Sequence, residues 1–231
     1  MKKTALLCLL ALLIGAVAGL TLNLSALKGE GLLKSEGGIP LEAPPQGSPV
    51  EGPAQTANDT EPQQGNAALL MAGEQVLDAL QSDNVEALAA LVDTERGVTF
   101  TPYSTVDSQN DLTFLPDQLV GAATSGTQYA WGYTSGKGDA IRLTLPEYMK
   151  SYVYNAEYSS APMIGVDHVI ASGNSLENVA TAYPDAHFVE YYFPGRTPAA
   201  AGLDWCALKL VFAQDGGSWK LVGIIHSEWT I

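Results

Sequence analysis

Three histidines, His168, His187 and His226, bring the side chain whose charge changes closest to neutral pH. All three fall in stretches that read as β-strands. Glu228 follows His226 by two positions, so a strand places both on one face. With Asp204 and Trp205 one strand earlier, they make a polar cluster that could hold or move a proton. Glu190 is the remaining candidate acid or base. Stronger signatures are missing. There is no H-E-x-x-H, C-x-x-C or G-x-S-x-G, and no glycine loop for phosphate. Ser25-Ala26-Leu27-Lys28 fits S-x-x-K but lies in an apolar N-terminal segment without catalytic context. The unclustered histidines point to no metal site, and no motif calls for a cofactor. A lone Cys206 on a strand reads as a small buried hydrophobe. Tyr129, Trp131, Tyr133, Tyr148 and Tyr152 either line a ligand pocket or fill a core, and Trp205 joins the binding candidates.

The C-terminal hairpin decides where the histidine points. Asp215-Gly216 reads as a two-residue turn pairing Gln214 with Gly217. Cys206, Leu208, Leu210 and Phe212 then share the core face with Trp219, Leu221, Gly223, Ile225 and Trp229, while Lys209 and Lys220 share the other. This register sets His226 outward, opposite Trp205, either as a surface aromatic–histidine pair or as part of the polar cluster. It also predicts a buried Trp229 and a held Ile231. Ala207, Val211, Val222 and Ile224 would leave an apolar outer face, fit for a homodimer.

The elements around these residues follow from pattern. Leu69, Gly73, Val76, Leu77 and Leu80 form one helical stripe with Glu74, Gln75, Asp78 and Gln81 opposite. Asp83 and Glu86 have the capping-box spacing for a second helix. Tyr103 to Gln128 shows no clear period. Thr144-Leu145-Pro146-Glu147 is a capping box with Pro in the first turn, and Leu143 with Tyr148 is its hydrophobic staple. Gly165–Ala171 reads as a strand, and Asn174 with Glu177 frames a short helix before Pro184. Strands follow at Ala186–Phe193, Trp205–Ala213 and Ser218–Thr230. Helices first and strands last predict an α+β fold with an antiparallel sheet.

Only the first 27 of the 231 residues hold a long uncharged run, which excludes a polytopic membrane protein. A formal charge of −14 argues against nucleic acid and anionic lipid, which need basic footprints. Lys2 and Lys3 before the run Thr4–Leu27 form an export segment. Residues 1–28 are either a signal peptide cut after Ala16-Val17-Ala18 or an uncleaved anchor, the only part expected to meet a membrane. Residues 29–65 hold 6 Pro, 7 Gly and no aromatic residue, and read as a disordered linker. The domain is expected at 66–231, outside the cytoplasm, tethered or secreted.

Tyr129-Ala130-Trp131-Gly132-Tyr133, Phe188-Val189-Glu190-Tyr191-Tyr192-Phe193-Pro194-Gly195, Asp204-Trp205 and the ending Gly223-Ile224-Ile225-His226-Ser227-Glu228-Trp229-Thr230-Ile231 resemble NTF2-like (cystatin-like, SnoaL-like) bacterial surface proteins. The resemblance covers about Ala67 to Ile231. It implies an α+β cone, a curved antiparallel sheet wrapped on N-terminal and mid-chain helices with a pocket at the open end. Such folds host both enzymes and binding modules, so the fold alone selects no function. The expected function is an exported, tethered, non-enzymatic module for a small ligand, a cell-wall fragment or a protein partner. The alternative is a SnoaL-like enzyme doing acid–base chemistry on a small apolar substrate, with His226, Glu228, Glu190 or Asp204 facing into the cone.

Overall fold

The structure is a computed structural model that describes residues 60–195 and 197–230, with side chains from Gly65 onward. These residues fall within one unit, 54–231. The expected export segment at 1–28 and the expected linker up to residue 59 lie outside the described residues. Among the described residues no helix is long and apolar enough to cross a membrane.

Helix α1 (Thr60–Gln81) begins inside the Pro/Gly-rich tract and buries the expected stripe, including Leu69, Val76, Leu77 and Leu80. Helix α2 (Val85–Leu91) is capped by Asn84, whose Oδ1 accepts from Ala87 N at 2.9 Å, and not by Asp83. Strand β1 (Val98–Thr101) follows. The unreadable stretch then holds β2 (Leu112–Phe114) and α3 (Pro116–Ser125). The start of α3 is set by Pro116 and by the Gln118 side chain, which accepts from Leu115 N at 2.9 Å. Strands β3 (Tyr129–Tyr133) and β4 (Ala140–Leu143) form a separate hairpin. Helix α4 (Leu145–Tyr148) starts at the expected Thr144–Glu147 capping box and runs on as a π-helical turn, Met149–Val153. Strand β5 (Met163–Val166) is shorter than expected. Helix α5 (Val179–Ala182) starts after Asn178, not at Asn174. Strands β6 (His187–Phe193), β7 (Cys206–Asp215) and β8 (Ser218–Glu228) complete the chain.

Six strands form one curved, unclosed sheet in the order β2-β1-β8-β7-β6-β5. All pairs are antiparallel except β1 with β8, which run parallel. Helices α1 to α4 pack against the inner face. The core there joins Leu69, Leu77 and Leu119 to Phe100, Leu208, Leu210, Phe212 and Ile224. The expected α+β architecture, a curved sheet wrapped on N-terminal and mid-chain helices, is the one observed.

The hairpin register differs from expectation in two steps. The turn residues are Gly216 and Gly217, both at positive φ, with Asp215 paired to Ser218. Two glycines supply the left-handed pair that a tight hairpin needs without Cβ strain. This shift alone moves each partner by two residues and keeps every side chain on its face. The second step is a bulge. Val211 pairs with Gly223 and Phe212 with Leu221, leaving Val222 as the extra residue. One unpaired residue inverts the faces beyond it. His226 is therefore inward, opposite Leu208, and Ile224 joins the core in place of Ile225. Trp229 lies past the strand end and is 40% exposed, against the expectation of burial. The chain end is instead held through Thr230, whose carbonyl accepts from Asn174 Nδ2 at 2.6 Å. Ile231 lies outside the described residues.

The outer face is not an open apolar patch. Ala207, Val211 and Val222 are buried, and Ile224 is on the inner side. The chain's own segment around α5 covers the face: Val179 packs with Val106, Phe188, Val211, Val222 and Ile225. Asn178 fastens the cover through its side chain to Val106 N and O, at 2.8 and 3.0 Å. A homodimer built on these apolar side chains would first have to displace that cover.

Candidate functional site

Parallel pairing of β1 and β8 brings the ends of both strands to one edge of the core, with Thr101 beside Ile225. The loop beyond β1 thereby meets the end of β8 that carries His226 and Glu228, with Ser104 Oγ donating to Ser227 Oγ at 2.9 Å. Four aromatic rings run inward from there. The His226 ring lies edge-on to Tyr152 at 5.9 Å. Tyr152 stacks on Tyr148 at 5.2 Å, and Tyr148 on Trp131 at 3.8 Å. Tyr103 meets Tyr152 edge-on at 6.1 Å. The staple and capping box of α4 aim Tyr148 into this stack, and the π-helical turn carries Tyr152 beside it. Trp131 is locked by its indole N–H, which donates to Leu143 O at 2.9 Å.

His226 is buried, and its Nε2 is 3.4 Å from Glu228 Oε2. Neither ring nitrogen has a hydrogen-bond partner among the described residues. Burial holds the Tyr148 and Tyr152 hydroxyls well above the usual tyrosine range, so both remain neutral donors. The structure thus joins His226 and Glu228 to Tyr152, Tyr148 and Trp131.

It separates the other nominated residues from them. Glu190 is on the outer face, fully buried, 3.7 Å from Lys209 Nζ and accepting from Ile170 N at 2.8 Å. Burial pushes its carboxyl above the usual glutamate range, against the opposing pull of Lys209. Lys209 also pairs with Glu177 at 2.8 Å and donates to Ser227 Oγ at 3.0 Å. Asp204 serves its own loop, accepting from Thr197 N and Oγ1. Trp205 packs near Tyr192, 6.0 Å away. Tyr129 packs on Phe114 and Trp131 in the core.

Beside the aromatic stack lies a cleft of about 650 Å³, between the β3–β4 hairpin and the loop 102–111. Trp131 and Tyr103 line it, so it abuts the stack; His226 and Glu228 are not among its lining residues. Tyr133, 69% exposed, stands at its rim. The bulge between Ala130 and Tyr133, with Gly132 at φ +125, turns Tyr133 out of the strand's regular alternation. Ser135 N donates to the Tyr103 hydroxyl at 3.3 Å and ties the hairpin to the loop. Asn110, Asp107, Asp111 and Arg142 supply the polar lining. The Asp111 carboxyl accepts from Thr101 Oγ1 at 2.7 Å and from Asp107 N at 2.9 Å. Burial raises its proton affinity despite these bonds. Arg142 forms no ion pair among the described residues.

Sequence reasoning missed Tyr103, Asn110, Asp111 and Arg142. The signals were faint: Asp107 and Asn110 have the spacing of an Asx-stabilised loop, and Arg142 interrupts an otherwise apolar strand. It also missed that Lys209 is buried, although Lys209 lies directly opposite Glu190 in the ladder.

No family model and no curated protein matches the chain. Solved structures do. Aln2 from a Streptomyces species is 10% identical over 71% of this chain and 90% of its own, at a TM-score of 0.33. An NTF2-like protein from Cytophaga hutchinsonii is 12% identical over 71% and 97%, at 0.33. The association domain of C. elegans CaMKII is 18% identical over 74% and 99%, at 0.32. The chain itself is an α+β fold built on one curved six-stranded sheet, and the structures it is similar to include NTF2-like proteins.

Proposed function

We propose that the chain is an exported, tethered, non-enzymatic module that binds a small ligand, a cell-wall fragment or a protein partner at the cleft beside its aromatic stack. The observation that supports this reading is the cleft of about 650 Å³, within the usual range for ligand sites, with the exposed Tyr133 at its rim and the acid–base candidates outside its lining. An exposed tyrosine beside polar groups suits recognition, and His226, Glu228, Glu190 and Asp204 do not line the cleft to move a proton there. Ligand-observed NMR with pooled envelope fragments, glycans and peptides tests it on the full chain. A hit whose signal is lost in Tyr133→Ala supports binding at the cleft. No hit across the pools, or hits indifferent to Tyr133→Ala, refutes it.

A specific observation favours the second reading, acid–base catalysis. His226 faces inward with Glu228 at 3.4 Å, a pairing that can orient an imidazole for proton transfer. Its test is whether a SnoaL-type apolar substrate is turned over by the chain and not by His226→Gln.

A further inference from the structure

The chemistry of the cleft wall narrows the ligand class. Among the described residues no Leu, Ile, Val, Met or Phe lines the cleft. The aromatic surfaces open to it are the rings of Tyr133, which is exposed, and Tyr103, which is half-buried, while the buried Trp131 only backs the wall. Nearly everything else is a small residue or a polar group: two carboxylates, an amide, a guanidinium and hydroxyls. A second groove, about 700 Å³ between the α1–α2 corner and α4, is built the opposite way, with Leu80, Val85, Leu88, Leu145 and Met149 in its wall. The molecule therefore carries an aliphatic-lined groove and, separately, a cleft without aliphatic side chains of that size.

Flat rings interleaved with hydrogen-bonding side chains fit a ligand with two kinds of surface. Aromatic faces take C–H-rich surfaces through dispersion and their negative π-cloud. Asp and Asn side chains accept from hydroxyls, and Asn and Arg donate to ring and amide oxygens. A saccharide presents both at once: a C–H face on each ring and a rim of hydroxyls. A steroid-like or acyl ligand would leave the buried side of Asp111 and the Arg142 guanidinium facing apolar atoms, which costs desolvation without return. Arg142, free of ion pairs among the described residues, is available to ligand oxygens. The bulge at Gly132 that exposes Tyr133 sets this ring outside the packed core.

Resting on the binding reading above, we infer that the ligand of the cleft is a glycan, held by stacking on Tyr133 and Tyr103 and by hydrogen bonds to Asn110, Asp111 and Arg142. The test is titration of the full chain with tetra-N-acetylchitotetraose and cellotetraose, followed by tyrosine and tryptophan fluorescence and saturation-transfer NMR. A pentapeptide of peptidoglycan-stem composition and the apolar probe anilinonaphthalene sulfonate run in parallel. At least one oligosaccharide is expected to bind, with its ring C–H protons most strongly saturated. Tyr133→Ala should raise Kd by roughly tenfold, the scale of one lost aromatic contact. Its melting midpoint should hold, because the ring is largely exposed. Arg142→Met, also at an exposed position, should weaken binding without unfolding. If the peptide or apolar probe binds in a Tyr133-dependent way and neither sugar does, the glycan inference falls while the cleft remains a binding site. If none of the four binds through the cleft, both fall.

Discussion

Lys209→Met isolates the energetics of the cover over the outer sheet face. Lys209 is fully buried, 2.8 Å from Glu177 and 3.7 Å from Glu190, and is the only lysine or arginine in an ion pair with either among the described residues. Removing one partner of a buried ionic group strands the others, at a cost of about 3–5 kcal/mol. In a domain of this size that corresponds to about 10 °C in melting midpoint. The loss has a definite pH dependence. Burial already holds the Glu190 carboxyl above its ordinary range, and Lys209 is the chief opposing influence. Without Lys209 the carboxyl moves further up. A folded value above the unfolded one means that the folded state binds the proton more tightly. Its contribution is then full below the unfolded glutamate value and is lost as pH rises through the folded one. The deficit of Lys209→Met should therefore be small below the raised wild-type Glu190 value and grow by up to about 1.4 kcal/mol per unit above it, until the variant's own value is passed. Urea midpoints at about pH 5 and 8, read by tryptophan fluorescence, measure it. An equal deficit at both pH values, or none at the higher, would refute the reasoning. Adding Glu177→Gln and Glu190→Gln should recover much of the loss, because no uncompensated charge then remains buried.

Gly73 faces the Tyr191 hydroxyl so closely that a Cβ would sit 2.3 Å from it, and Tyr191 Oη is buried without a hydrogen-bond partner among the described residues. Gly73→Ala should cost about 1–3 kcal/mol by overpacking, and Tyr191→Phe should relieve it while costing little alone, as thermal melts of the double-mutant cycle would show. His226→Ala should lower the denaturation midpoint more than Trp229→Ala, by about 2–3 against 1 kcal/mol or less, since the first is buried against Tyr152 and the second is largely exposed. The reverse order would contradict the bulged register. Limited proteolysis of the full chain should leave a core beginning between Gly52 and Ala68, and a ladder of stable fragments starting earlier would show a folded element within 29–51.

Local order was legible in the sequence because its causes are local. The α1 stripe, the Thr144–Glu147 cap with Pro146 and the succession of late strands each depend on neighbours within one or two turns. Helix α3 escaped because its stripe is short and its cap comes from a Gln side chain. Tertiary structure alone decided the side on which His226 lies. One extra residue at Val222 inverts that end of β8, and a bulge is chosen by packing across the sheet, where Leu221 and Ile224 both enter the core. The same holds for the cover on the outer face. Lys209 reads as a solvent-facing charge until Glu177 and Glu190, 32 and 19 residues away in sequence, close around it. The cleft, too, is tertiary. The loop 102–111 and the β3–β4 hairpin meet only when the core between them forms, and no local pattern of Tyr103, Asp111 or Tyr133 encodes that encounter.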